Sequence, residues 1–269
     1  MKLQIYKICH SHDQIEQYGL FENDRIKLID LSSIDNKFNL NYNQLNPYWN
    51  EGCGIILPYL NNIKSDLIGF QHYRRWYHSE LSNLKVNEIV QGKIQVFQDR
   101  GVSHYDQQIK EYEYKALANH MYFWGLLYNG FYNDLIDFLK KEFPHYLKSE
   151  RIIHNMHGHS LFVCTWERYE ELAKLILGYM NFVANRYKFD MADPLEWKRL
   201  IDENVIKFNI TNNIKMGKPS WGGPKIDYKL YPNVAYRSFG MMIEYFVSMF
   251  AHHYGFVFDY NNQIHFVSK

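Results

Sequence analysis

Leu67-Ile68-Gly69-Phe70-Gln71-His72-Tyr73-Arg74-Arg75 decides how this chain reads. Its first four residues form the short apolar run of a buried strand, and its last four turn abruptly polar. Working outward, Leu3-Gln4-Ile5-Tyr6-Lys7-Ile8-Cys9 alternates like a strand and ends in the polar His10-Ser11-His12-Asp13. Ile26 to Leu31 reads as a second short strand, and the Asn-rich residues 32–46 as a loop. Pro47 opens a helical pattern through Leu60, in which Pro58 is expected to end or kink the helix. Downstream, Ile94 to Phe97 and Ser160 to Cys164 read as strands, and Tyr112 to Asn119 and Tyr132 to Glu142 as helices. Thr165 is placed to cap a further helix whose apolar Leu172, Leu175, Ile176 and Tyr179 recur at helical spacing. A long loop over 209–233, centred on Trp221-Gly222-Gly223-Pro224, precedes a closing amphipathic helix from Val234 to Tyr254. Strands alternating with helices predict an α/β fold: a mostly parallel central sheet flanked by helices. Ligands of such sheets sit beyond the carboxyl ends of the strands. Three polar clusters fall at strand boundaries: His10 to Asp13, His72 to Arg75, and His157 to Ser160.

Composition narrows the class. With 269 residues the chain suits one large domain or two small ones, and a single one over 1–269 is expected. Lys and Arg total 30 against 29 Asp and Glu, which argues against a broad nucleic-acid surface. Three cysteines, none at CxxC spacing, read as reduced and inert. The N-terminus enters a strand pattern at once, with no signal-peptide pattern, and no apolar run approaches the length of a membrane span. Tyr supplies 23 of the aromatic residues, a composition suited to polar-rimmed sugar or protein surfaces, or to a thick aromatic core.

The chemistry concentrates at His72-Tyr73-Arg74-Arg75. Two permanently charged, bidentate side chains at a strand end suit a diphosphate or a carboxylate, and an aromatic ring beside them can stack on a base or sugar. A surface arginine pair salt-bridged to carboxylates is the plainer alternative. The chain has no GxGxxG, no GxxxxGK[ST], no HExxH and no GxSxG. It also lacks Asp-x-Asp, the metal-binding pair that sugar-nucleotide enzymes usually carry at this point. No resident cofactor is therefore expected; a divalent metal stays open but has no Asp-x-Asp to support it. The pairs His10/His12 and His157/His159 read more simply as solvated or hydrogen-bonding loop histidines than as ligands.

Asn46-Pro47-Tyr48-Trp49-Asn50-Glu51, then Lys64-Ser65-Asp66-Leu67-Ile68-Gly69-Phe70-Gln71-His72-Tyr73-Arg74-Arg75-Trp76-Tyr77, resembles the hallmark block of glycosyltransferase family 111, long catalogued as domain of unknown function 4422. Val102-Ser103-His104-Tyr105, Ser160-Leu161-Phe162-Val163 and Tyr236-Arg237-Ser238-Phe239-Gly240 with Glu244 are similar to later segments of that family, in its order. The chain departs from the pattern at Pro58, at Ser160 where Asn is usual, and at Tyr245 where Arg is usual.

The resemblance implies a GT-A-like fold with a nucleotide-binding half over about 1–110 and an acceptor-side half over about 111–269. It implies inverting transfer of a hexose, characteristically galactofuranose, from a UDP-sugar. The acceptor would be a lipid-linked capsule, O-antigen or lipooligosaccharide glycan. It places the protein in the cytoplasm, peripherally at the inner face of the membrane. His10, His72, Tyr73, Arg74, Arg75 and Arg237 are the candidate donor-binding residues, and Ser160 and Trp221 the candidate acceptor-binding ones. Transfer needs a base for the acceptor hydroxyl, and His159, His104, Asp106 and Glu51 are candidates. Glu51 could instead bind sugar hydroxyls or favour its helix N-terminus. A non-catalytic nucleotide-sugar-binding subunit of a polysaccharide synthase is the alternative reading.

Overall fold

A computed structural model describes residues 1–33, 38, 42–97, 131–147, 160–207, 211, 235–236, 238–257 and 265–266. Its strands are β1 (Leu3–Cys9), β2 (Ile26–Asp30), β3 (Leu67–His72), β4 (Arg75–Trp76), β5 (Ile94–Val96), β6 (Phe162–Thr165), β7 (Phe256–Val257) and β8 (His265–Phe266). The helices are α1 (Asp13–Gln17), α2 (Asn46–Trp49), α3 (Glu51–Leu60), α4 (Val86–Val90), α5 (Phe131–Glu142), α6 (Trp166–Tyr187), α7 (Pro194–Ile201) and α8 (Ser238–Tyr254). The strands form one sheet in the order β2-β1-β3-β6-β5-β7, with β4 pairing β3 and β8 off that path. The expected α/β architecture, a central sheet flanked by helices, is what the chain adopts.

Parallel pairing occurs at both sides of the sheet: around β1, and between β5 and β7. β1 runs between β2 and β3 and is parallel to both, and these are the longest ladders. β6 enters antiparallel to β3 and to β5, so the sheet as a whole is mixed. The direction of β6 leaves no trace in periodicity, because a buried strand reads the same either way. The helix expected to close the chain does not close it. After α8 the backbone returns to the sheet, as β7 beside β5 and as β8 beside β4.

Alternation sorts the side chains into two cores. Tyr6 and Ile8 of β1, Ile68 and Phe70 of β3, and Phe162 and Cys164 of β6 face the larger one, built with α2, α3, α6, α7 and α8. Leu3, Ile5, Leu67 and Val163 face the smaller one with Tyr77, Ile89 and Phe97. Cys9, Cys53 and Cys164 are free and buried, and burial raises each thiol's pKa, that of Cys9 to about 12.

The helical pattern after Pro47 resolves into two helices. Pro47 sits in the first turn of α2, as expected. The break falls at Asn50, at φ 45°, a backbone region that Asn tolerates better than most residues. Pro58 lies inside α3, which continues only to Leu60. The Tyr169 hydroxyl of α6 is inserted beside that proline. It accepts from the Tyr59 N–H at 2.8 Å and donates to the Ile55 carbonyl at 2.7 Å, filling one rung of the helix's own ladder. Thr165 occupies the N-cap position of α6, but its side chain makes no capping bond.

His252 of α8 corrects the reading of His252-His253 as helix surface. It packs on Phe256, with ring centroids 4.8 Å apart, and burial lowers its pKa to about 4. A histidine held neutral in the fold but free to protonate when unfolded favours the unfolded chain between its two pKa values. Stability therefore rises with pH from about 4 to 6.5, by up to roughly 1.4 kcal/mol per pH unit from this group. His252→Gln should flatten that limb in urea titrations at pH 4.5 and 7.5. An unaltered wild-type-to-variant difference at the two values would exclude it.

Candidate functional site

The strand order positions the site. From β1 the chain goes to β2 on one side and then to β3 on the other, so the gap beyond the carboxyl ends of β1 and β3 is a topological switch point. His10 follows β1 directly. His72 ends β3 on the face of the larger core, with its ring toward the start of α3. Tyr73 and Arg74 form the turn to β4, which begins at Arg75. The Tyr73 N–H donates to the Ile8 carbonyl at 2.9 Å, tying this turn to β1.

These segments enclose a cavity of about 530 Å³. Its walls include His10, Asn46, Glu51, His72, Tyr73, Arg74, Arg75, Tyr236 and Glu244. The size lies within the usual range for small-molecule sites. Five of the six residues expected to bind the donor thus line one pocket. Arg237, the sixth, lies outside the described residues, as do His104, Asp106, His159 and Trp221. Ser160 is 4% exposed and is not among the described cavity-lining residues. Its φ of 62° supplies a backbone reason for the position: the Asn of the resembled pattern adopts that conformation more readily than most residues.

Glu51 is the organising carboxylate. The elbow at Asn50 ends α2 and starts α3, and Glu51 is the first residue of α3, where a helix N-terminus favours negative charge. Its Oε1 lies 2.9 Å from His72 Nε2 and 3.3 Å from His10 Nε2, with the Glu51 side chain 18% exposed. Burial pushes the carboxyl's pKa up, but hydrogen bonds and charge from the two imidazoles outweigh it and hold Glu51 well below the usual carboxylate value. Burial lowers the pKa of His72, only partly offset by Glu51 and reinforced by His10 and Arg75. Oε1 of Glu51 thus stands between two imidazole rings and ties the end of β1, the end of β3 and the start of α3 together.

The cationic wall is poised for an anion. Burial lowers the pKa of Arg75 first, and neighbouring Arg74 lowers it further; Glu244 and Glu51 attract it without restoring it. Arg74 stacks toward Tyr73, its guanidinium carbon 5.6 Å from the ring centroid. Tyr73 in turn meets His10 edge-on at 5.7 Å. The acidic partners of Arg75, Glu51 and Glu244, come from two distant elements, α3 and α8.

No family model matches the chain, and no curated protein matches it in sequence. Among solved structures its fold is similar to that of WbbM, a bifunctional glycosyltransferase, in its apo structure. The TM-score is 0.50 at 13% identity, over 100% of this chain and 46% of WbbM. The chain thus spans less than half of that protein's length. The likeness identifies a glycosyltransferase-like α/β fold. Among the described residues, no helix is long and apolar enough to cross a membrane.

Proposed function

We propose that this chain is a glycosyltransferase of the family 111 kind, moving a hexose, with galactofuranose the first candidate, from a UDP-sugar onto a growing surface glycan. The observation that carries this reading is the convergence of His72, Tyr73, Arg74 and Arg75 with His10 and Glu51 in one cavity at the sheet's switch point. The paired guanidinium groups hold the pyrophosphate, and Tyr73 offers a ring to the nucleoside or sugar. In the inverting reaction the acceptor oxygen attacks the anomeric carbon and the bond to the phosphate oxygen breaks. UDP departs with the electron pair, and the acceptor proton passes to a base. Fixed positive charge beside the leaving phosphate stabilises the charge that develops there. Candidates for that base are His104, Asp106, His159 and Glu51, whose carboxylate is held by two imidazoles. The acceptor is lipid-linked, and the protein works at the cytoplasmic face of the membrane without spanning it.

The test is incubation with a panel of UDP-, GDP-, CDP- and dTDP-sugars and a glycan acceptor, reading nucleotide release. Release of UDP from one UDP-sugar supports the reading. UDP binding without turnover of any donor, with acceptor present, would move the protein to the binding-subunit class.

A further inference from the structure

Three ligand-type groups from separate parts of the chain meet in the cavity wall: the His10 and His72 imidazoles and the Glu51 carboxylate, each offering one atom within 4.8 Å of the others. We propose that they form a divalent-cation site of two imidazoles and one carboxylate, for an ion of the Zn²⁺, Co²⁺ or Mn²⁺ class, with its remaining coordination positions facing the cavity.

The hydrogen-bond inventory makes the first argument. The Asn46 Nδ2 donates to the His10 carbonyl at 3.1 Å, which orients the amide and leaves its Oδ1 as the acceptor 2.8 Å from His10 Nδ1. That network assigns a ring proton to Nδ1 and, in the neutral ring, leaves Nε2 with a lone pair. In the neutral ring Nε2 faces the Glu51 carboxylate at 3.3 Å, acceptor toward acceptor. Such a pair needs a positive centre between its members, either a second proton or a metal ion.

Distances make the second argument. Ligands bonded at about 2.0–2.1 Å stand roughly 2.9 Å apart at right angles and about 3.4 Å apart at the tetrahedral angle. The two nitrogens lie 2.9 and 3.3 Å from Glu51 Oε1, inside that interval. The donor set makes the third: imidazole and carboxylate together suit borderline first-row ions. His10 also has the outer-shell bond that metal-bound histidines need, in Nδ1–H to Asn46. The cluster lies at the end of β3, where the chain lacks Asp-x-Asp, and it draws on residues 41 and 62 positions apart (10 to 51, 10 to 72), so no spacing motif announces it. The inference stands on this geometry and does not depend on the sugar-transfer reading.

Chelator-stripped full-length protein should be titrated with Co²⁺, following visible d–d absorption, and with Zn²⁺ and Mn²⁺ by calorimetry. One equivalent is expected. His10→Gln and His72→Gln should each weaken binding at least about tenfold, and Asn46→Ala by roughly 10- to 100-fold through the outer shell. His12→Gln is the control: His12 is paired with Asp30, and its loss should leave the affinity unchanged. Thermal melts establish that each variant is folded. The wild-type protein decides even if a variant fails to fold. No Co²⁺, Zn²⁺ or Mn²⁺ bound at millimolar concentration, or binding that folded His10→Gln and His72→Gln leave unaltered, overturns the site and makes the bridging charge a proton on His10. UDP affinity and nucleotide release, measured separately, test the proposed function whichever way the metal result falls.

Discussion

Arg75→Ala should weaken UDP binding by roughly 10- to 150-fold, about 1.5–3 kcal/mol, the scale of a hydrogen bond to a charged group. Arg75 is half-buried between Arg74 and the carboxylates Glu51 and Glu244, so its removal also leaves those carboxylates to repel an incoming diphosphate. Arg74→Ala removes a charge without exposing the same acidic pair, and its loss should be smaller, near the lower bound. Arg75→Lys retains the charge but not the planar fork and should fall between wild type and Arg75→Ala. Arg199→Ala is the control, since Arg199 is committed to Glu196 and Glu203 on exposed parts of α7 and the turn after it. Calorimetric titration with UDP reads all four. Unchanged affinity in folded Arg74→Ala and Arg75→Ala together would remove the phosphate-binding role.

Trp49→Ala should cost about 3–5 kcal/mol of folding stability, the range for deleting a large buried aromatic side chain. Trp49 is fully buried at the end of α2. Its ring stacks on Phe239 of α8 at 4.9 Å and 20°, and meets Trp197 of α7 edge-on at 5.1 Å. Tyr179 of α6 closes a further side at 6.2 Å. Helices from four parts of the chain therefore share this indole, and none can collapse into its space without leaving another. Trp49→Phe should recover more than half of the loss. Urea unfolding curves measure both, and a cost below about 1 kcal/mol for Trp49→Ala would show that these helices repack freely.

The parts of the fold legible in the sequence are those carried by local pattern. β1, β2, β3 and β5 lie where short apolar runs place them, and α5 and α6 where apolar residues recur at helical spacing. The joining of a strand to His72-Tyr73-Arg74-Arg75 was readable for the same reason. β4, β7 and β8 were not, because two residues hold no period and such strands exist only through their partners. The break at Asn50 escaped notice because neither Gly nor Pro marks it. The partners of His10 were not legible for a tertiary reason: Asn46 and Glu51 reach its ring across a loop and a helix start, and no residue near it in sequence signals that.

The elbow at Asn50 has a mechanical consequence. Its side-chain amide occupies the space that any Cβ on Gly240 of α8 would require, and a Cβ on Gly52 would come within 2.7 Å of Ile243 on the same helix. Each glycine thus takes a side chain of the facing element directly against its backbone, Asn50 on Gly240 and Ile243 on Gly52. Glu51 follows Asn50 on α3 and Glu244 lies one turn beyond Gly240 on α8, so a slide of α8 along α3 would shift the two acidic walls of the cavity against each other. A ligand drawn toward one of those carboxylates would be felt at the far end of a seventeen-residue rod.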